Sequence, residues 1–147
     1  MKPKFQKLYM TIAETVATMS HARRLQVGAI VVKDDRVISM GYNGMPSGWE
    51  NNCENEIEAE VGDDVEIVLK TKPEVLHAET NAIAKLARST ESGLDADIFI
   101  THSPCLDCAK LIYQSGIKRV WYGSEYRDSA GPDFLRRSGI EVKQLNH

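Results

Sequence analysis

The chain has no apolar run approaching the roughly 20 residues that a membrane-spanning helix needs. Its first twenty residues, MKPKFQKLYMTIAETVATMS, are amphipathic and contain an acid, Glu14, so they lack the uninterrupted apolar core of a secretory signal. Cysteine is scarce. Three cysteines in 147 residues do not suggest a disulfide framework, and the protein is expected to stay in a reducing compartment, the cytoplasm, with no membrane partner. Positive charge is not in excess either: Lys and Arg total 18 against 21 Asp and Glu, a formal net charge of −3. That balance argues against a dedicated nucleic-acid surface. It leaves small anions open, because a helix N-terminus or a local arginine binds a phosphate without global basicity. Repeats and low-complexity tracts are also missing. What remains, 42% hydrophobic and 27% charged residues, is the composition of an ordinary globular protein, and residues 1–147 are read as one domain.

Phe5, Leu8, Ile12, Val16 and Met19 recur at spacings of three and four, which predicts a first helix with these residues on its buried face. The β-branched runs VGAIVV and RVISMGY flank the polar Lys33-Asp34-Asp35 and predict an antiparallel hairpin. A glycine-rich turn, GYNGMPSGW, follows. Residues 50–74 are strongly acidic and weakly periodic, and read as a solvated surface insertion. From Ala78 the pattern is helix, strand, helix, strand, helix, strand, with strands DIFIT, RVWYG and EVKQL and helix ends at Gly116 and Gly139. Such alternation implies right-handed crossovers and parallel pairing. The expected fold is α/β, a three-layer α/β/α arrangement of a mixed sheet of about five strands with helices on both faces.

Two of the predicted helices begin with metal-avid residues: HAETNAIAKL at 77–86 and, within HSPCLDCAKLI at 102–112, the pair Cys105 and Cys108. A Cys-x-x-Cys pair alone is ambiguous between a redox dithiol, half of a structural zinc site and a catalytic metal site. There is no second such pair, which excludes a four-cysteine knuckle. His77 supplies a third ligand, and three protein ligands with one open position is the catalytic zinc arrangement. Glu79, two residues on, points in a different direction at a helix start. It is therefore placed to hydrogen-bond a water in the open position, whose pKa zinc lowers to about 7. Two thiolates neutralise the ion, and two helix N-termini stabilise the thiolates. His-x-Glu followed by Pro-Cys-x-x-Cys is the signature of zinc nucleobase deaminases, with the Glu as proton shuttle. His102 is read as a packed or solvated histidine, His21 and His147 as solvent-facing, and Cys53 as a free thiol.

The chain resembles the deoxycytidylate (dCMP) deaminases of the cytidine deaminase superfamily, bacteriophage enzymes among them, over essentially its whole length. The resemblance rests on VGAIVV, GYNGMPSG, HAETNAI, SPCLDCAKLI, QSGIKRVWYG and GPDFLRRSGIEV. It implies hydrolytic deamination of dCMP to dUMP and ammonia, feeding thymidylate synthesis, with one catalytic Zn2+ per subunit. It assigns catalysis to Glu79 and metal binding to His77, Cys105 and Cys108. In substrate binding it implies that Asn43 meets the sugar, the Ala78 N–H and the Ser103 carbonyl meet the pyrimidine, and Tyr126 and Arg127 lie by the base and the 5′-phosphate. It further implies a homo-oligomer, commonly a hexamer, activated by dCTP and inhibited by dTTP. The effector, carried with Mg2+, would bind at Gly41, Tyr42 and Gly44, with Arg23 and Arg24 pairing its phosphates. If the source is viral, the compartment is the host cytoplasm. Competing readings are a deaminase of dCTP, cytidine or tRNA adenosine, and a nucleotide-sensing pseudoenzyme with structural zinc. The cationic surface that tRNA requires is not favoured by the net charge, and structural zinc does not require Glu79.

Overall fold

The computed structural model describes residues 1–126 and 128–145. Its elements are α1 (Pro3–Ala17), β1 (Gly28–Lys33), β2 (Arg36–Tyr42), β3 (Glu54–Val61), β4 (Asp64–Thr71), α2 (Ala78–Ala87), β5 (Asp97–His102), α3 (Leu106–Gln114), β6 (Arg119–Ser124), α4 (Ala130–Arg137) and β7 (Glu141–Gln144). Five strands form one mixed sheet in the order β2-β1-β5-β6-β7. The pairs β1/β2 and β1/β5 are antiparallel, while β5/β6 and β6/β7 are parallel. Period-two alternation divides the strand side chains between two faces. Ile30, Val32, Phe99 and Trp121 pack under α1, and Val31, Ile98, Ile100 and Val120 pack with residues of α2, α3 and α4. The expected three layers are present.

The Lys33-Asp34-Asp35 turn is tight because Asp34 and Asp35 both take positive φ, 51° and 58°, the backbone of a type I′ hairpin. Gly116 and Gly139, at φ 83° and 82°, end α3 and α4 as expected.

Two expectations are corrected. The buried face of α1 is Tyr9, Met10, Ala13, Val16 and Ala17, whereas Leu8 is 47% and Met19 60% exposed. Small alanines let the helix lie close to the sheet, and Met19 falls beyond the helix end. Residues 50–74 are not a loop: β3 and β4 form a separate antiparallel hairpin with Ile57 opposite Val68. In ENEIEAEV every second residue is a glutamate, and strict alternation is the strand period whatever the polarity of the polar face. Gly62, at φ 62°, turns the chain.

Among the described residues no helix is long and apolar enough to cross a membrane.

Candidate active site

The parallel strands β5 and β6 end side by side, His102 opposite Ser124, and α2 and α3 begin beyond the sheet there. Such carboxyl ends are where open α/β sheets bind ligands. His77 is the N-cap of α2 and Cys105 the N-cap of α3, both extended, and neither side chain caps its own helix. Their side chains are therefore free for a metal, and the first-turn N–H groups of both helices stay available, as at any helix start.

His77 Nδ1 lies 3.2 Å from Cys108 Sγ and 3.7 Å from Cys105 Sγ. Tetrahedral zinc with Zn–N and Zn–S bonds of ordinary length needs such atoms roughly 3.5–3.8 Å apart, so the set closes on the ion with small shifts. Among the described residues His77, Cys105 and Cys108 are the group whose ligand atoms could share one metal. The donor chemistry agrees, two thiolates and an imidazole being a borderline-soft set suited to zinc.

The electrostatics favour the thiolate at Cys105 and the protonated forms at Cys108 and His77, whose protons a bound metal would displace. The Cys105 thiol is pulled down to about 4, first by the hydrogen bond from Cys108 and then by His77. Cys108 is pushed upward because it is the donor in that pair and because it is buried. His77 is raised chiefly by its hydrogen bond with Cys105. Glu79 is 5% exposed, and burial raises its carboxyl above the usual range. A carboxyl whose pKa is raised exchanges protons more readily near neutrality.

The cleft in front of this cluster is lined by His77, Ala78, Glu79, His102, Ser103, Cys105 and Tyr126 together with residues that include Arg24, Asn43, Cys53, Glu54 and Thr71. The expected substrate residues Asn43, Ala78, Ser103 and Tyr126 thus share one cleft with Glu79. Arg127 lies outside the described residues. The Ser103 hydroxyl accepts the Tyr126 backbone N–H at 2.7 Å, which ties the loop after β6 to the site. The Asn43 side chain holds the backbone ahead of β1: Oδ1 accepts from Val27 N at 2.9 Å and Nδ2 donates to Leu25 O at 2.8 Å. A primary amide keeps one lone pair and one N–H beyond these two bonds.

The residues expected at an effector site separate. Arg24 lies on the wall of the cleft. Arg23 is engaged by Glu54, Glu56 and Asn52. A Cβ at Gly41 would stand 2.5 Å from Ala78 O and 2.6 Å from Ala82 N, so the close approach that this glycine permits is to α2. Gly44 has open space beside it, and it bridges to Leu76 through two backbone hydrogen bonds, 3.1 and 2.8 Å. Tyr42 O accepts from Asn81 Nδ2 at 2.8 Å.

Four residues at the site had no role in the sequence reading beyond a free thiol for Cys53. Cys53, Glu54 and Thr71 reach the cleft because the base of the β3–β4 hairpin forms part of its wall. Gly131 lies against the metal loop, where a Cβ would overlap the Pro104 carbonyl oxygen and stand 3.0 Å from Cys105 O. The GPDF stretch, quoted for resemblance alone, was the one available signal. Cys53 is buried, with its thiol raised by that burial and by Glu54.

Residues 3–124 match the family described as the cytidine and deoxycytidylate deaminase zinc-binding region. The structure is similar to that of a dCMP deaminase from the cyanophage S-TIM5 in complex with dCMP and dUMP, with a TM-score of 0.87 and 44% identity over 99% of each chain. The deoxycytidylate deaminase of Enterobacteria phage T4 is 36% identical over 168 aligned residues, 90% of this chain and 86% of that one. An uncharacterized deaminase of Aliivibrio fischeri is 34% identical, covering 97% of this chain and 94% of that one.

Proposed function

This chain belongs to the cytidine and deoxycytidylate deaminase family, and from that premise we infer that it is a zinc-dependent enzyme converting dCMP to dUMP and ammonia. Its three layers are the cytidine deaminase-like fold. The observation that carries the reading is the buried carboxyl of Glu79 beside the His77, Cys105 and Cys108 cluster, in the same cleft as Asn43 and Tyr126.

His77, Cys105 and Cys108 would hold the ion, which when bound would supply a Lewis acid that acidifies water near neutral pH. Glu79 accepts a proton from the water that adds to C4 of cytosine and delivers it to N3 of the ring. The proton of the hydroxyl now on C4 then passes through Glu79 to the exocyclic amine, the C4–N bond breaks, and ammonia leaves as C4 becomes a carbonyl. The Ala78 N–H, at a first-turn position with no intrahelical acceptor, meets the pyrimidine O2. The Ser103 carbonyl accepts from the amine, which orients C4 toward Glu79, and Tyr126 covers the base. Asn43 uses its spare amide capacity on the sugar. Arg24, on the cleft wall, joins Arg127 as a cation for the 5′-phosphate through charge-assisted hydrogen bonds. A free mononucleotide needs no base flipping.

Regulation by dCTP and dTTP, carried with Mg2+, belongs to the same reading, as do assembly into a homo-oligomer, a hexamer above all, a cytoplasmic setting and a single domain over 1–147. The effector region reduces to the turn from Tyr42 to Gly44, because Gly41 faces α2 and Arg23 is already paired. A ligand there bears on catalysis by a short route: Gly44 is bonded to Leu76, the residue before His77, and Tyr42 O to Asn81 of α2.

Deamination of dCMP, deoxycytidine and dCTP measured side by side tests the substrate. A clear preference for dCMP in kcat/KM is expected, and comparable values for deoxycytidine would contradict it.

A further inference from the structure

Glu54 is the first residue of a hairpin whose other glutamates face solvent, yet it is 1% exposed. A buried carboxylate is costly unless it is hydrogen-bonded and paired. Its Oε2 accepts the backbone N–H groups of two successive residues, Arg23 at 2.9 Å and Arg24 at 3.0 Å. Its Oε1 has Arg23 Nε at 3.6 Å, too long for a hydrogen bond, and no hydrogen-bond partner among the described residues.

Two neighbouring N–H groups on one oxygen fix the backbone between them and send the two arginine side chains separate ways. Arg23 turns onto the hairpin, where Glu56 Oε1 and Asn52 Oδ1 each accept from it at 3.1 Å. Arg24 turns into the cleft. Its Nη1 donates at 2.9 Å to Thr71 Oγ1, and Thr71 is the cross-strand partner of Glu54. The charge of Arg23 is matched by two carboxylates. The charge of Arg24 meets only a neutral hydroxyl, and among the described residues no carboxylate lies within ion-pair distance of it. The base of the hairpin is therefore a bracket that holds one arginine, unneutralised, over the cleft.

We propose that Glu54 is a positioning residue that sets the enzyme's preference for the nucleoside monophosphate over the free nucleoside, by clamping residues 23 and 24 so that Arg24 faces the 5′-phosphate. The inference rests on the dCMP reading above and adds a residue that touches neither the phosphate nor the reacting atoms. Planar guanidinium recognition of phosphate depends on orientation, so loss of the clamp acts on phosphate binding and leaves the zinc chemistry alone.

The test is kcat and KM for dCMP and for deoxycytidine with zinc-loaded wild type, Glu54→Ala, Glu54→Gln and Thr71→Val. Glu54→Ala is expected to raise KM for dCMP by about tenfold or more, the scale of one lost hydrogen bond to a charged group, with kcat for dCMP and kcat/KM for deoxycytidine within about threefold of wild type. Glu54→Gln, whose amide oxygen accepts the same two N–H groups, is expected to keep most of the preference. Thr71→Val, which removes only the hydroxyl under Arg24, is expected to raise KM for dCMP less and to leave deoxycytidine alone. Equal losses on both substrates, no loss at all, or Gln as damaging as Ala would overturn the clamp. If Glu54→Ala does not fold, Gln and Val still decide it: a change shared by both substrates overturns it and one confined to dCMP supports it. Failure of the dCMP reading has its own signature, a wild type inactive on both substrates. Calorimetric affinities for dCMP and deoxycytidine would then read the clamp, with a selective loss of dCMP affinity in the variants supporting it and a shared loss overturning it.

Discussion

His77 Nδ1 and Cys108 Sγ lie 3.2 Å apart although 31 residues separate them in the chain. The approach is made by two helix starts that meet at the carboxyl ends of β5 and β6. Each helix brings its ligand to its N-terminal end, where the partial positive charge of the unsatisfied N–H groups favours a thiolate. Cys105 has a thiol held at about 4, first by the hydrogen bond from Cys108 and then by His77, with the first-turn Cys108 backbone N–H adding to them. The site is thus set by the sheet topology as much as by the ligands themselves.

Removing zinc follows directly from that geometry. Metal that binds the folded chain and not the unfolded one stabilises it by mass action. Dialysis against a chelator is expected to abolish turnover and lower Tm by several degrees, and one equivalent of zinc is expected to restore both. Full activity in protein shown by elemental analysis to hold no metal would contradict the assignment.

Gly131 is expected to tolerate no side chain. A Cβ there would overlap the carbonyl of Pro104, which precedes the ligand Cys105, and forced overpacking typically costs about 1–3 kcal/mol. Gly131→Ala should therefore lower both the unfolding free energy and the zinc affinity, read by denaturant titration and by competition with a zinc indicator. An unchanged zinc affinity would show that α4 does not position the metal loop.

Acid stability carries a contribution from His102. Burial lowers its pKa below the ordinary 6.5. Below pH about 6.5 the unfolded chain then binds a proton that the folded chain does not, so stability is full above that pH and is lost as pH falls toward the lowered value. His102→Gln is expected to flatten the fall in Tm between pH 7 and pH 5 relative to wild type. Parallel curves for the two proteins would remove His102 from the account.

Effector control predicts that dCTP with magnesium shifts the dCMP saturation curve to lower concentration and that dTTP shifts it to higher. A coupling of about 1–3 kcal/mol corresponds to shifts of roughly 5- to 150-fold. Superimposable curves at millimolar effector would remove the regulatory reading and leave catalysis untouched.

The zinc cluster and Glu79 were legible in the sequence because each ligand sits in a short motif at a helix start, where spacing alone fixes direction. The sheet was legible too, since Ile98, Ile100 and Val120 lie in compact apolar runs and Gly116 and Gly139 mark the ends of the last two helices. The β3–β4 hairpin was not, because its solvent-facing glutamates hid an alternation in which Ile57 faces Val68. Glu54 reads in sequence as one more acid of that run, and only the fold buries it under Arg23 and Arg24. Gly131 was marked only by the GPDF stretch around it, because the atom that forbids a side chain there belongs to Pro104, far away in sequence. The two adjacent arginines are indistinguishable as residues and were separated only by what surrounds them.

The central claim is that Glu79 moves protons at a zinc site built by His77, Cys105 and Cys108. The most direct measurement is turnover of dCMP by Glu79→Gln with zinc content determined on the same sample. The amide keeps the size of the side chain and removes its ability to carry the proton. The variant is expected to hold one zinc per chain and to lose about 10²–10⁴-fold or more in kcat, the usual scale of general acid–base catalysis. Turnover within tenfold of wild type, with zinc retained, would contradict the account.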